Sequence, residues 1–129
     1  MTAATTSNIT IDPTTGDLSA DQGTTLVWNY TLKLSGTPID LTGWSCHMEV
    51  RETYDSVTKL LDLSTTNGKI ANGLTTGTFT LTVLPADTKA VHVKGDSLDA
   101  VFDVEATDPS GFVWKIAGGN FTLNREVTR

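Results

Sequence analysis

Apolar and polar residues alternate along most of this chain. Between Thr24 and Ser35, Leu26, Trp28, Tyr30, Leu32 and Leu34 fall on one face. Thr25, Asn29, Thr31 and Lys33 fall on the other. A period of two marks a half-buried β-strand, whereas an amphipathic helix needs apolar residues three and four apart. The same alternation sets Trp44, Cys46, Met48 and Val50 against Ser45, His47, Glu49 and Arg51. It returns at Leu61 and Leu63, at Phe79, Leu81 and Val83, and at Ala100, Phe102, Val104 and Ala106. Phe112, Trp114 and Ile116 predict a return strand, and Phe121, Leu123 and Val127 a closing one. Shorter strands are predicted over residues 8–12, at the edge, and 69–71.

Between these runs stand turn formers. The segment Pro13–Gly23 reads as a loop, and Gly36–Gly43 ("GTPIDLTG") as a connection. Asn67-Gly68 and Asn72-Gly73 favour tight turns with positive φ. Asp108-Pro109-Ser110-Gly111 fits a four-residue turn with Pro second, and Gly118-Gly119 predicts a bulge or sharp bend. Pro85 opens the one place where a short helical turn fits. The pattern predicts an all-β fold, an antiparallel β-sandwich of about seven to eight strands with at most one short helical turn. Residues 1–10 read as a flexible or partner-ordered arm, and residues 11–129 as a single sandwich domain.

Composition narrows what such a domain can do. Threonine, with 24 residues, suits the solvent face of strands. A net charge of −6 leaves no basic stripe for phosphate, which argues against a nucleic-acid partner and against an anionic membrane surface. No apolar run approaches the roughly 18 residues of a membrane-spanning helix. The N-terminus lacks the basic start and apolar core of a secretory signal, so synthesis in a cytosol is expected. A single cysteine cannot form an intrachain disulfide. The Asn-x-Thr triplets at Asn8, Asn29 and Asn120 read as chance in so Thr-rich a chain.

Catalytic and metal motifs fit poorly. Cys46 and His47 are neighbours on one strand and face apart, so only His92 is left as a base for a cysteine nucleophile. Cys46 reads as a small core residue. No G-x-S-x-G elbow, C-x-x-C, H-E-x-x-H or EF-hand loop occurs. Asp12, Asp17 and Asp21 form a sparse acidic loop cluster that reads as solvated rather than as a calcium site. Asp103 and Glu105 share an outward strand face and lack the cleft of a glycosidase pair. Trp28, Trp44 and Trp114 lie in phase with apolar neighbours and read as core rather than as a sugar platform. No cofactor is expected, and function falls to surfaces and strand edges.

The segment "GTPIDLTGWSCHMEVRE", followed by "LDLSTTNGKI", "TGTFTLTVLPADTKAV" and "AVFDVEATDPSGFVWKIAGGNFTLNREVTR", resembles the small Ig-like virion structural proteins of tailed bacteriophages. It is similar to the N-terminal domain of siphophage baseplate upper proteins. The matching positions are Gly36, Pro38, Asp40 to Gly43, Met48, Val50, Arg51, Asn67, Gly68, Asp103, Glu105, Gly111, Gly119 and Val127 to Arg129. The resemblance spans roughly residues 22–129. The baseplate proteins continue into a long receptor-holding region, whereas this sequence stops at Arg129.

That resemblance implies an Ig-like form of the β-sandwich and a non-enzymatic component of the virion, synthesised in the host bacterial cytoplasm. Its expected place is the tail, baseplate or collar, linking the core assembly to peripheral parts such as fibres. A capsid decoration protein on the head is the alternative. A carbohydrate-binding adhesion module is a third reading, for which Tyr54 is the best-placed aromatic. Expected partners are other virion proteins and copies of the chain itself, with fibre or host-glycan contact as a further option. The arm residues Thr2, Asn8, Ile9 and Ile11 are candidate interface residues, able to order on a neighbour. Glu49 and Arg51 on the outward face, and Arg125 and Arg129 near the end of the chain, complete the set.

Overall fold

The computed structural model describes residues 9–12 and 16–127. Among these residues ten strands form two five-stranded sheets. They are β1 (Ile9–Asp12), β2 (Leu18–Asp21), β3 (Leu26–Leu34), β4 (Thr37–Pro38), β5 (Ser45–Arg51), β6 (Lys59–Ser64), β7 (Ile70–Asn72), β8 (Thr78–Val83), β9 (Ser97–Thr107) and β10 (Val113–Asn124). One sheet runs β1-β3-β8-β7, with β4 paired to the end of β3. The other runs β2-β10-β9-β5-β6. This is the strand order of an immunoglobulin-like sandwich. Strands β1, β3, β8 and β7 stand as A, B, E and D, and β5, β9 and β10 as C, F and G, with β6 added beside C. Among the described residues all pairings are antiparallel except β2 with β10, which is parallel.

The alternation seen in the sequence is the cause of this architecture. Leu32, Met48, Phe79, Leu81, Val83 and Val104 are fully buried between the sheets, and the intervening residues face out. Each such side chain contributes about 1.5–3 kcal/mol on leaving water. Phe121 packs edge-on against Trp28 and Phe102, with ring centroids 6.1 and 6.3 Å apart. Cys46 is 3% exposed within this core, which needs no disulfide. The expected helical turn forms at α1 (Pro85–Lys89), where Asp87 accepts a hydrogen bond from the Leu84 N–H at 3.0 Å.

Several expectations change. The Pro13–Gly23 loop contains β2, whose four residues pair with β10 and were missed because "LSAD" is too short to show alternation. The Gly36–Gly43 connection contains β4. Ile9 and Thr10, assigned to the arm, belong to β1 and pair with Leu34 and Lys33. Residues 1–8 lie outside the described residues. The strand expected to break at Gly118-Gly119 is continuous, because the register shift falls earlier, between Lys115 and Ala117. Ile116 and Ala117 are both buried, so the alternation is interrupted there. Trp114 is half-buried and gives its Nε1–H to Asp108 Oδ2 at 3.2 Å, while Phe112 sits in the turn and is exposed. Leu34 is exposed too, at the end of its strand.

Candidate functional site

The outer face of the β2-β10-β9-β5-β6 sheet holds most of the chain's concentrated surface chemistry. Strand pairing places its residues in rows. Gly118, Asp103, Glu49 and Asp62 stand opposite one another across four strands. Beside them run Asn120, Val101, Arg51 and Lys59, and on the other side Lys115, Glu105, His47 and Ser64. Three carboxylates in a row would repel. The cations of the next row offset them. Arg51 Nη2 lies 2.7 Å from Glu49 Oε1, and Lys59 Nζ lies 3.2 Å from both Glu49 and Asp62. His47 Nε2 sits 2.5 Å from Asp62 Oδ1 and 3.4 Å from Glu49 Oε2.

This lattice sets the ionisation of its acids. Desolvation works to raise the Glu49 pKa, but hydrogen bonds from Arg51 and Lys59 outweigh it and hold it below the ordinary range. Asp62 behaves alike, with desolvation opposed by His47 and Lys59. His47, Glu49 and Asp62 bring three potential metal-ligand atoms within 4.8 Å of one another. The Lys59 ammonium and the Arg51 guanidinium already hold these carboxylates, so the arrangement is that of a surface ion-pair lattice. Glu49 and Arg51, expected to meet a neighbour, are thus engaged mainly with each other and with Lys59. Arg51 also donates to the Ser56 carbonyl at 2.7 Å.

The remaining candidates are dispersed. Arg125 lies near the other end of the sandwich, where its backbone N–H donates to Asp96 O at 2.8 Å. Ile9 and Ile11 pack against the core from β1. Thr2, Asn8 and Arg129 lie outside the described residues. Asp12, Asp17 and Asp21 are not gathered. Asp12 pairs with Lys33, Asp17 accepts the Asn120 N–H, and Asp21 accepts the Asn124 amide. Cys46 is buried with its thiol pushed up to about 12 by desolvation, and His47 is on the opposite, exposed side. A cysteine nucleophile is not assembled among the described residues.

Two further features escaped the sequence reading. The loops between β3 and β5, β7 and β8, and β9 and β10 interlock at one end of the sandwich. Asn72 Nδ2 donates to the Leu41 and Trp44 carbonyls at 2.8 and 3.2 Å, and Leu41 N donates to Leu74 O. Asp40, held below its usual range by Thr42, shapes the first of these loops. The second feature is an open cleft of about 550 Å³ lined by Gln22, Lys89, His92, Arg125 and Glu126 among others. Its polar groups serve the fold. Gln22 donates to Thr88 O and Val91 O and accepts from Glu126 N, while Lys89 pairs with Glu126.

No protein-family model matches the chain, and no curated protein matches it. Among solved structures the chain is similar to the RIG-5 IG1 homodimer, with 14% identity, 92% of this chain and 98% of that one covered, and a TM-score of 0.43. It is also similar to a complex of Dpr1 IG1 with DIP-eta IG1, at 11% identity, 92% and 95% coverage and a TM-score of 0.45. The titin M3 domain is similar at 12% identity, 92% and 96% coverage and a TM-score of 0.42. The strand order described above carries the fold assignment independently of these likenesses.

Proposed function

We propose that the chain is a non-enzymatic Ig-like structural protein of a tailed bacteriophage particle, acting in the tail, baseplate or collar to join the core assembly to peripheral parts. The observation that supports this reading is where the residues of the phage-protein resemblance fall. Gly36, Pro38 and Asp40 to Gly43 build the corner between β3 and β5, and Met48 and Val50 lie in the core. The resemblance therefore rests on fold-determining positions. The chemistry-bearing residues Cys46 and His47 are divided between core and surface. Repeated copies of a domain acting through modest surfaces gain holding strength by avidity.

Quantitative mass spectrometry of purified particles tests the assignment. The expected result is a copy number set by cyclic symmetry, on the order of ten per particle. On the order of hundreds of copies would move the protein to the head surface as a decoration protein. Its absence from purified particles would remove the reading altogether.

A further inference from the structure

Beside the ion-pair lattice, the same sheet face carries a shallow trough. Tyr54 is 79% exposed, yet its loop is firmly held. Ser56 N donates to Thr53 O and Thr53 N to Ser56 Oγ, both at 3.1 Å, and Arg51 clamps the Ser56 carbonyl. Tyr54 lines a depression of about 140 Å³ together with Glu49, Arg51, Val101, Phe102 and Asp103. One strand further, Gly118 stands opposite Asp103, and the side chain of Lys115 lies over it. Exposed Asn120 stands opposite Val101. Neither the Asp103 carboxylate nor the Asn120 side-chain amide has a hydrogen-bond or ion-pair partner among the described residues.

We propose that this trough binds a neutral saccharide, with one sugar ring stacked on Tyr54 and its hydroxyls hydrogen-bonded by Asp103 and Asn120. A pyranose has an apolar C–H face and a rim of hydroxyls. An exposed aromatic ring meets the face, a carboxylate accepts from the hydroxyls, and an amide both donates and accepts. The volume equals that of about five waters of liquid, which is the scale of one sugar ring. A protein partner would need about 800 Å² of complementary surface on each side. Glu105 and Asp99, on the same face of β9 as Asp103, disfavour an anionic sugar. The proposal stands apart from the particle assignment. A particle protein that binds no sugar would keep that role and lose this site.

The test is an amide-resolved NMR titration of the whole chain with maltose, lactose, methyl α-mannoside and diacetylchitobiose, each to roughly 50 mM. Saturable shifts are expected at Tyr54, at 101–103 and at 118–120 for at least one sugar. Tyr54→Ala and Asp103→Asn should each weaken that binding about tenfold or more. Tyr54→Phe should retain the stacking and most of the affinity. Tyr54 is on the surface, so the dispersed spectrum of Y54A reports that the variant is folded. No saturable shift with any of the four sugars would overturn the site. So would shifts confined elsewhere, or undiminished binding by folded Y54A. Shifts at the same residues that follow protein concentration alone would replace the sugar with a second copy of the chain.

Discussion

Tyr30 carries its hydroxyl into the core. The residue is 1% exposed, and its Oη is the one buried side-chain polar atom without a hydrogen-bond partner among the described residues. Desolvation, with a smaller contribution from Cys46, raises its pKa. An unpaired buried hydroxyl opposes folding, so Tyr30→Phe should leave stability unchanged or raise it by about 1 kcal/mol, read from urea unfolding midpoints. A loss beyond about 1 kcal/mol would mean that the hydroxyl is satisfied. Gly119 is the opposite case. At φ 153° it lies against the start of β2's approach, and an added Cβ would stand 2.8 Å from Asp17 Oδ1 and 2.9 Å from the Gly16 carbonyl. Gly119→Ala should cost about 1–3 kcal/mol, measured in the same way.

At the scale of elements, an edge strand offers unpaired backbone groups to any passing chain. β6 is such an edge, and Asn67 covers part of it. Its Oδ1 accepts from Ser64 N at 3.0 Å and its Nδ2 donates to Asp62 O at 2.9 Å, as a neighbouring strand would. Asn67→Ala should therefore cost about 1 kcal/mol and increase concentration-dependent association, seen by light scattering. Unchanged scattering would show that the charges of β6 suffice. The central strands β3, β5, β8 and β9 were legible in the sequence, because each buries one face and shows it as a period of two. β2 and β4 were not: four residues and two are too short to show a period, and β2 is fixed by β10 at the far end of the chain while β4 folds back on the end of β3. The uninterrupted β10 was obscured by a bulge that places Ile116 and Ala117 inside together.

For the whole molecule, five carboxylates link stability to pH. Asp40, Glu49, Asp62, Asp87 and Asp108 all have pKa values lowered in the folded state. A lowered carboxylate adds stability above its unfolded value, about 4, and that contribution drains away as pH falls through the native value. Thermal midpoints should thus hold through neutral pH and fall steadily below about pH 4. A flat acid limb would contradict the assignment. The candidate face was only partly legible. The alternation put Glu49 and Arg51 side by side on the outer face of one strand, but their rows with Asp103, Asp62 and Lys59 depend on strand order. So does the meeting of Tyr54 with Asp103, which lie 49 positions apart by residue number. Trp28 and Trp44 pack on the core as their phase implied. Trp114 keeps its ring half-buried by a bond to Asp108.

The one parallel pairing among the described residues has a mechanical consequence. β2 leads from the N-terminal side and β10 leads to the C-terminus, and Leu18–Asp21 lies beside Phe121–Asn124 pointing the same way. Tension applied through the two ends of the chain pulls these strands in opposite directions along their length. The bonds between them are then loaded together in shear, whereas an antiparallel hairpin pulled from its open end gives way one rung at a time. Single-molecule extension from the termini should therefore require more force than extension applied across the open end of the β9–β10 hairpin, between Ser97 and Asn124. Equal forces would show that the β2–β10 ladder does not bear the load.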